Sequence, residues 1–175
     1  MVENGTILVL ENVKVVQAGT FSNFSGSPTK WDRHGGKRYF TLEFDEALGR
    51  SLAADGWNVK FREPYREGDT VKAQLKVNFG WNPEYPSLDP EIIMIKGGYP
   101  YICVEETVGE LDHESIETAD VELRARIWDD NGVPSVTAYC RQMYVTVAES
   151  KLDKKWRNVR AQLSSQAADE VPFDA

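Results

Sequence analysis

Acid–base catalysis needs at least two titratable side chains held together with displaced pKa values. This chain has two histidines, His34 in a Gly-rich stretch and His113 in an acidic turn, and its acids are dispersed. No catalytic set emerges, and each histidine reads as a surface residue. The two cysteines, Cys103 and Cys140, stand in no CxxC and in no cluster with either histidine, so neither a disulfide framework nor a zinc site is indicated. They read as reduced core thiols. Ser25-Gly26 and Gly35-Gly36-Lys37 resemble pieces of phosphate loops without the GxxxxGK[ST] spacing. The expectation is a protein that is no enzyme and carries no cofactor and no metal.

Holding single-stranded nucleic acid makes a different demand: cations along a backbone track, and flat rings on which bases stack. The sequence interleaves the two. Lys30-Trp31-Asp32-Arg33 and Lys37-Arg38-Tyr39 are followed by Trp57, Lys60 and Arg62, then by Lys72, Lys76, Trp81 and Tyr85. From these the expected contacts are Lys30, Trp31, Arg33, Lys37, Arg38, Trp57, Lys60, Arg62, Lys72, Lys76, Trp81 and Tyr85. Trp31 and Trp81 carry most weight because both stand in polar loops, where a core tryptophan is less expected. Phe40, Phe44, Phe61 and Phe79 sit on apolar alternations and read as core. Trp128 and Tyr139 are expected to pack on a long hairpin, and Trp156 to anchor a C-terminal helix.

The net charge of −8 runs against a phosphate-binding role only on average. Between Lys30 and Lys76 bases slightly outnumber acids. Between Glu84 and Asp130 the balance reverses through Glu105, Glu106, Glu110, Asp112, Glu114, Glu117, Asp120 and Glu122. One face can attract phosphate while another repels it.

The elements that must position these groups are mostly strands. Residues 7–18 are rich in β-branched side chains and end at Gly19; residues 19–37 form a long loop of Gly, Ser, Thr and Asn. Arg38 to Phe44 reads as a strand, Asp45 to Gly56 as a capped helix, and Trp57 to Phe61 as a short strand. The clearest alternation sets Val71, Ala73, Leu75, Val77 and Phe79 inward and Lys72, Gln74, Lys76 and Asn78 outward. A strand over Glu91 to Lys96 and a short helix over Val104 to Leu111 follow. A hairpin then turns at Asn131-Gly132, with Val121, Leu123, Ala125 and Ile127 alternating against Glu122, Arg124 and Arg126, and a return over Val136 to Val147. Leu152, Trp156, Val159 and Leu163 make a helical stripe among Lys151, Lys154, Lys155, Arg157 and Arg160. The expected fold is mainly β with short helices, a small antiparallel barrel over residues 1–149, an amphipathic helix over 150–163 and a disordered acidic tail over 164–175.

Within that tail Asp169-Glu170-Val171-Pro172-Phe173 resembles the acidic tip of bacterial single-stranded-DNA-binding proteins, which in that family docks on replication and repair proteins. The physics is plain: acids steer toward a basic patch, Pro limits the entropy lost on docking, and Phe fills an apolar pocket. Asp174 and Ala175 depart from the pattern, because the Phe then lacks the free carboxylate that such partners grip. The body from Glu11 to Val147 is similar to the OB-fold-related single-stranded-DNA-binding proteins of tailed phages. The likeness rests on Phe24-Ser25-Gly26, Lys37-Arg38-Tyr39-Phe40, Asp55-Gly56-Trp57-Asn58-Val59-Lys60 and Met143-Tyr144-Val145-Thr146.

That resemblance implies an OB-like barrel, single-stranded DNA as ligand and a role in phage replication or recombination, with replication or recombination proteins recruited by the tail. No secretion signal and no run of eighteen apolar residues occurs, so the expected location is the cytoplasm, without membrane contact. A homodimer is compatible with this reading. Two other classes fit the same residues: an acidic protein-interaction adaptor that never touches DNA, and a carbohydrate-binding module that stacks sugars on Trp and Tyr.

Overall fold

The computed structural model describes residues 1–30, 33–64, 66–156, 159, 162 and 163. Eight strands and one α-helix follow in the order β1 (Ile7–Val16), β2 (Arg38–Asp45), α1 (Glu46–Asp55), β3 (Val59–Arg62), β4 (Lys72–Phe79), β5 (Glu91–Lys96), β6 (Tyr99–Cys103), β7 (Ile116–Asp130) and β8 (Val133–Val147). Short 3-10 turns cover Pro86–Leu88 and Val108–His113. The expected helix at Val104 to Leu111 is therefore a 3-10 turn set slightly later. β6 was not expected at all.

β1 pairs antiparallel with β2 and with β7, β2 with β4, and β7 with β8. The ring closes where β4 runs parallel to β8, Val77 opposite Ala138 and Asn78 opposite Tyr139. Five strands thus make an OB-fold-like barrel. Its closing pair is parallel and the other ring pairs are antiparallel. The second half of β8, from Gln142 to Val147, stays paired with β7 and on its other edge carries β5, which in turn pairs with β6, while β3 extends from β4.

The alternation read from the sequence places the core inside this ring. Phe40, Leu42, Leu75, Val77, Leu123, Met143 and Val145 are fully buried. In β1 the inward positions Leu10 and Val13 are three apart, and the register shifts between them. Asn12 absorbs the extra residue at φ 53°, and its N–H donates to the Asp120 carboxylate at 2.8 Å.

Helix α1 plugs one side of the barrel. The Asp45 carboxylate accepts from the Leu48 N–H at 2.8 Å, and Gly56 ends the helix in the left-handed region at φ 114°. Gly49 and Leu52 are its buried positions. A Cβ on Gly49 would run into the Cβ of Ala73, with Phe61 also close.

After Ser150 the chain is helical over 151–156. The stripe expected to pack does not: Leu152 is 66% exposed and Trp156 47%. Trp156 thus anchors nothing on the barrel. Among the described residues no helix is long and apolar enough to cross a membrane.

Gly49→Ala tests the docking of α1. Alanine adds about 1 kcal/mol of helix propensity, yet its methyl meets a Cβ fixed in β4, and overpacking of this kind costs about 1–3 kcal/mol. The clash outweighs the propensity. Urea unfolding of the variant should show a lower midpoint with an unchanged slope; a higher midpoint would mean that α1 sits looser on the barrel than described.

Candidate nucleic-acid interface

On the outer face of β2, β4 and β3 the register sets Tyr39 opposite Asn78, Thr41 opposite Lys76, Glu43 opposite Gln74, and Lys60 opposite Gln74 on the other side. Lys76 Nζ lies 4.3 Å from the centre of the Tyr39 ring, and the Arg62 guanidinium lies 4.5 Å from that of Phe21. Cations on ring faces are the geometry in which a base and a phosphate can be held side by side. Glu43, the acid at the centre of the face, is occupied. It accepts from Gln74 Nε2 at 3.2 Å and pairs with Lys14 at 3.6 Å, while Gln74 Oε1 accepts from Arg62 Nε at 3.0 Å. Lys60, Lys72 and Lys76 are exposed and form no ion pair among the described residues. A cavity of about 540 Å³ opens between Phe21, Glu43, Arg62 and Lys72.

The long loop rises from this face and its first limb is built, not slack. The Asp112 carboxylate accepts the N–H groups of Phe24 at 2.8 Å and Ser25 at 2.9 Å, and Asn23 Oδ1 accepts that of Gly26 at 3.0 Å. Phe24 is fully buried and stacks on Phe40 at 5.6 Å, both against Phe79. The Tyr39 hydroxyl donates to the Thr20 carbonyl at 2.7 Å, and that of Thr41 to the Phe21 carbonyl at 2.6 Å. Gly26, at φ 70°, lies so close to the Arg38 side chain that a Cβ there would meet its Cγ at 3.1 Å.

Of the residues expected to touch a ligand, Lys60, Arg62, Lys72 and Lys76 come together on this one face. Lys30, Arg33 and Lys37 are exposed on the loop beside it. Trp31 lies outside the described residues, as do Asp169, Glu170, Val171, Pro172 and Phe173. Arg38 points the other way, over the Trp81 ring at 5.4 Å. Trp81 is half-buried, edge-on to Phe79 at 6.0 Å, and Tyr85 is exposed in the loop that follows β4.

Trp57 is 5% exposed and belongs to the core beneath the end of α1. Its ring offers no face to a base. Its polar neighbours Asn58 and Lys60 are exposed at the turn into β3. Trp128, expected to pack, is instead 43% exposed under the Arg126 guanidinium at 4.2 Å. Phe21 and Tyr39 are the rings that the contact list omitted. Tyr39 is findable, since it falls on the outward phase of β2; Phe21 sits in a loop and has no periodic signal.

Burial, with Glu122 adding to it, pushes the Cys140 thiol up to about 12, and burial also raises Cys103. Among the described residues no three His, Cys, Asp or Glu side chains gather as a metal site would require.

Residues 4–171 match the family model described as "Putative phage ssDNA-binding domain". No curated protein matches the sequence. Among solved structures, the C-terminally truncated single-stranded DNA-binding protein of bacteriophage Enc34 superposes with a TM-score of 0.49 at 11% identity, over 86% of this chain and 94% of that one. The same phage protein in complex with ssDNA gives 0.48 at 11% identity over the same shares. The single-stranded DNA-binding protein gp2.5 of bacteriophage T7 gives 0.40 at 10% identity, over 98% of this chain and 97% of that one.

Trp57→Phe should therefore lower the thermal midpoint while leaving oligonucleotide affinity at the parental value. Weaker binding by a variant of unchanged stability would put the indole at the ligand after all.

Proposed function

This chain belongs to the phage ssDNA-binding domain family, and from that premise we propose that it holds single-stranded DNA, without chemistry, on the outer face of β2, β4 and β3. The observation that carries the placement is the Lys76 ammonium seated on the Tyr39 ring, with Lys60, Arg62 and Lys72 on the same face. Rings and cations that already touch can receive a base and its phosphate with little reorganisation. Lys30, Trp31, Arg33 and Lys37 extend the track along the loop. Such binding protects single strands during replication or recombination of a phage genome.

The overall charge of −8 does not oppose this role, because several acids of the 105–122 run are spent inside the fold. Asp112 holds the loop limb, Asp120 the β1 bulge, and Glu114 pairs with Lys96 at 3.2 Å. We assign Asp169, Glu170, Val171, Pro172 and Phe173 to the recruitment of replication or recombination proteins, on the pattern of acids followed by an aliphatic residue, Pro and Phe.

Changing Lys72 and Lys76 together to Glu should weaken binding of labelled oligo-dT and flatten its salt dependence. Each lost phosphate contact removes about 0.7 from the slope of log affinity against log salt. Equal affinity and slope in a normally melting double variant would take β4 out of the interface.

Removing residues 164–175 should preserve or slightly raise affinity for oligo-dT, since its carboxylates compete with phosphate for cations. Phe173→Ala should instead lose capture of host replication proteins with no gain in DNA affinity. A truncated chain that no longer binds DNA would make the segment part of the groove or of the fold.

A further inference from the structure

A second cavity lies outside the face just described. A cleft of about 610 Å³ opens between the loop after β4, the N-terminal segment at Asn4 and Gly5, and residues 124–126 of β7 and 139–141 of β8. Phe79, Ala125 and Cys140 form an apolar floor; Arg124, Arg126 and Arg141 stand around it with the rings of Trp81 and Tyr139. No acid lines it, and none of the three arginines forms an ion pair among the described residues. Three unneutralised guanidinium groups around a cavity of nucleotide size are an anion site with places for bases.

The fold builds this arrangement deliberately. β7 and β8 pair Arg124 with Tyr139, and the register shifts so that Glu122 faces Gln142 while Leu123 faces Cys140. Arg141 is the extra residue of that bulge. A bulge re-aims one side chain without disturbing the inward phase on either side, and here Cys140 and Met143 both remain buried. On the far wall Trp81 is fixed between Phe79 and the Arg38 guanidinium, so its position does not depend on a ligand.

The cleft is also continuous with the first face. Register relations run Tyr39–Asn78 between β2 and β4, Asn78–Tyr139 across the closing pair, and Tyr139–Arg124 between β8 and β7. At about 4.8 Å per strand spacing, Tyr39 and Tyr139 lie roughly 10 Å apart along the sheet. Asn78 lies between them in the register.

We propose that the cleft is a second binding site for the same single strand, which crosses Asn78 and places one or two further nucleotides there, phosphates on Arg124, Arg126 and Arg141 and a base against Trp81 or Tyr139. This rests on the single-strand reading above and lengthens the path that reading assigns. Arg126, beside the exposed Trp128, marks the outer end of the path.

Anisotropy titrations of the full chain with labelled oligo-dT of stepwise increasing length test it. The parent should gain affinity as the oligonucleotide becomes long enough to reach the cleft. R126A/R141A should bind the shortest bound length as the parent does, bind long lengths at least tenfold more weakly, and show a salt slope smaller by about 1.4 on the long ones only. A variant weakened equally at every length, or at none, would overturn the second site. Photocrosslinking of the parental protein to iodouracil-substituted oligo-dT provides a measurement independent of variant folding. Crosslinks to peptides containing Trp81 or Tyr139 support the cleft, and crosslinks confined to the Tyr39 and Phe21 peptides overturn it. A parent that binds no length at all would instead fail the single-strand reading itself.

Discussion

The closing pair of the barrel, Val77–Asn78 beside Ala138–Tyr139, is the constraint on which the rest depends. Before it forms, the β2–β4 face and the β7–β8 hairpin are opposite margins of an open sheet. Closure makes them neighbours across one residue. It also seals the inner ends of Phe40, Phe79 and Cys140 from water, so the burial that stabilises the barrel and the contact that joins the two cationic surfaces are the same event. A sheet that merely curled without closing would keep its core partly wet and its cations apart.

The acidic run between Glu105 and Glu122 has a structural share in this division of labour. Carboxylates that accept backbone N–H groups gain charge-assisted hydrogen bonds and no longer act as free repulsive charges. Asp112 pins the limb of the long loop at Phe24 and Ser25, which in turn sets Phe21 over the outer face for Arg62. A protein of negative net charge can in this way present a positive face, since carboxylates such as Asp112 and Asp120 are turned toward its own backbone.

Much of this was legible in the sequence, and what was not has a physical reason. Period-two alternation reports which side of a strand is buried, so β4 and the hairpin about Asn131-Gly132 could be read closely, and with them the shared face of Lys72 and Lys76. Counting outward from that turn even pairs Arg124 with Tyr139. The parallel contact of β4 with β8 joins segments some sixty residues apart and leaves no local trace, so the neighbourhood it creates could not be read. Trp57 misled because burial of an indole near a helix end depends on what packs above it, not on its polar neighbours. The stripe at Leu152 and Trp156 has helical spacing, yet spacing states only that one face is apolar and not that the barrel has room for it. β6 escaped notice because Pro100 stands inside it, and proline inside a run argues against a strand unless the strand is an edge.

That proline has a consequence of its own. β6 ends the sheet, with Tyr99, Tyr101 and Ile102 exposed along it, which is the profile of a strand that invites another chain to zip on. An edge proline is tolerated where its missing N–H faces outward, and there it leaves a gap in the row of donors that a newcomer would need. Pro100 thereby denies the open edge the continuous ladder from which aggregates grow.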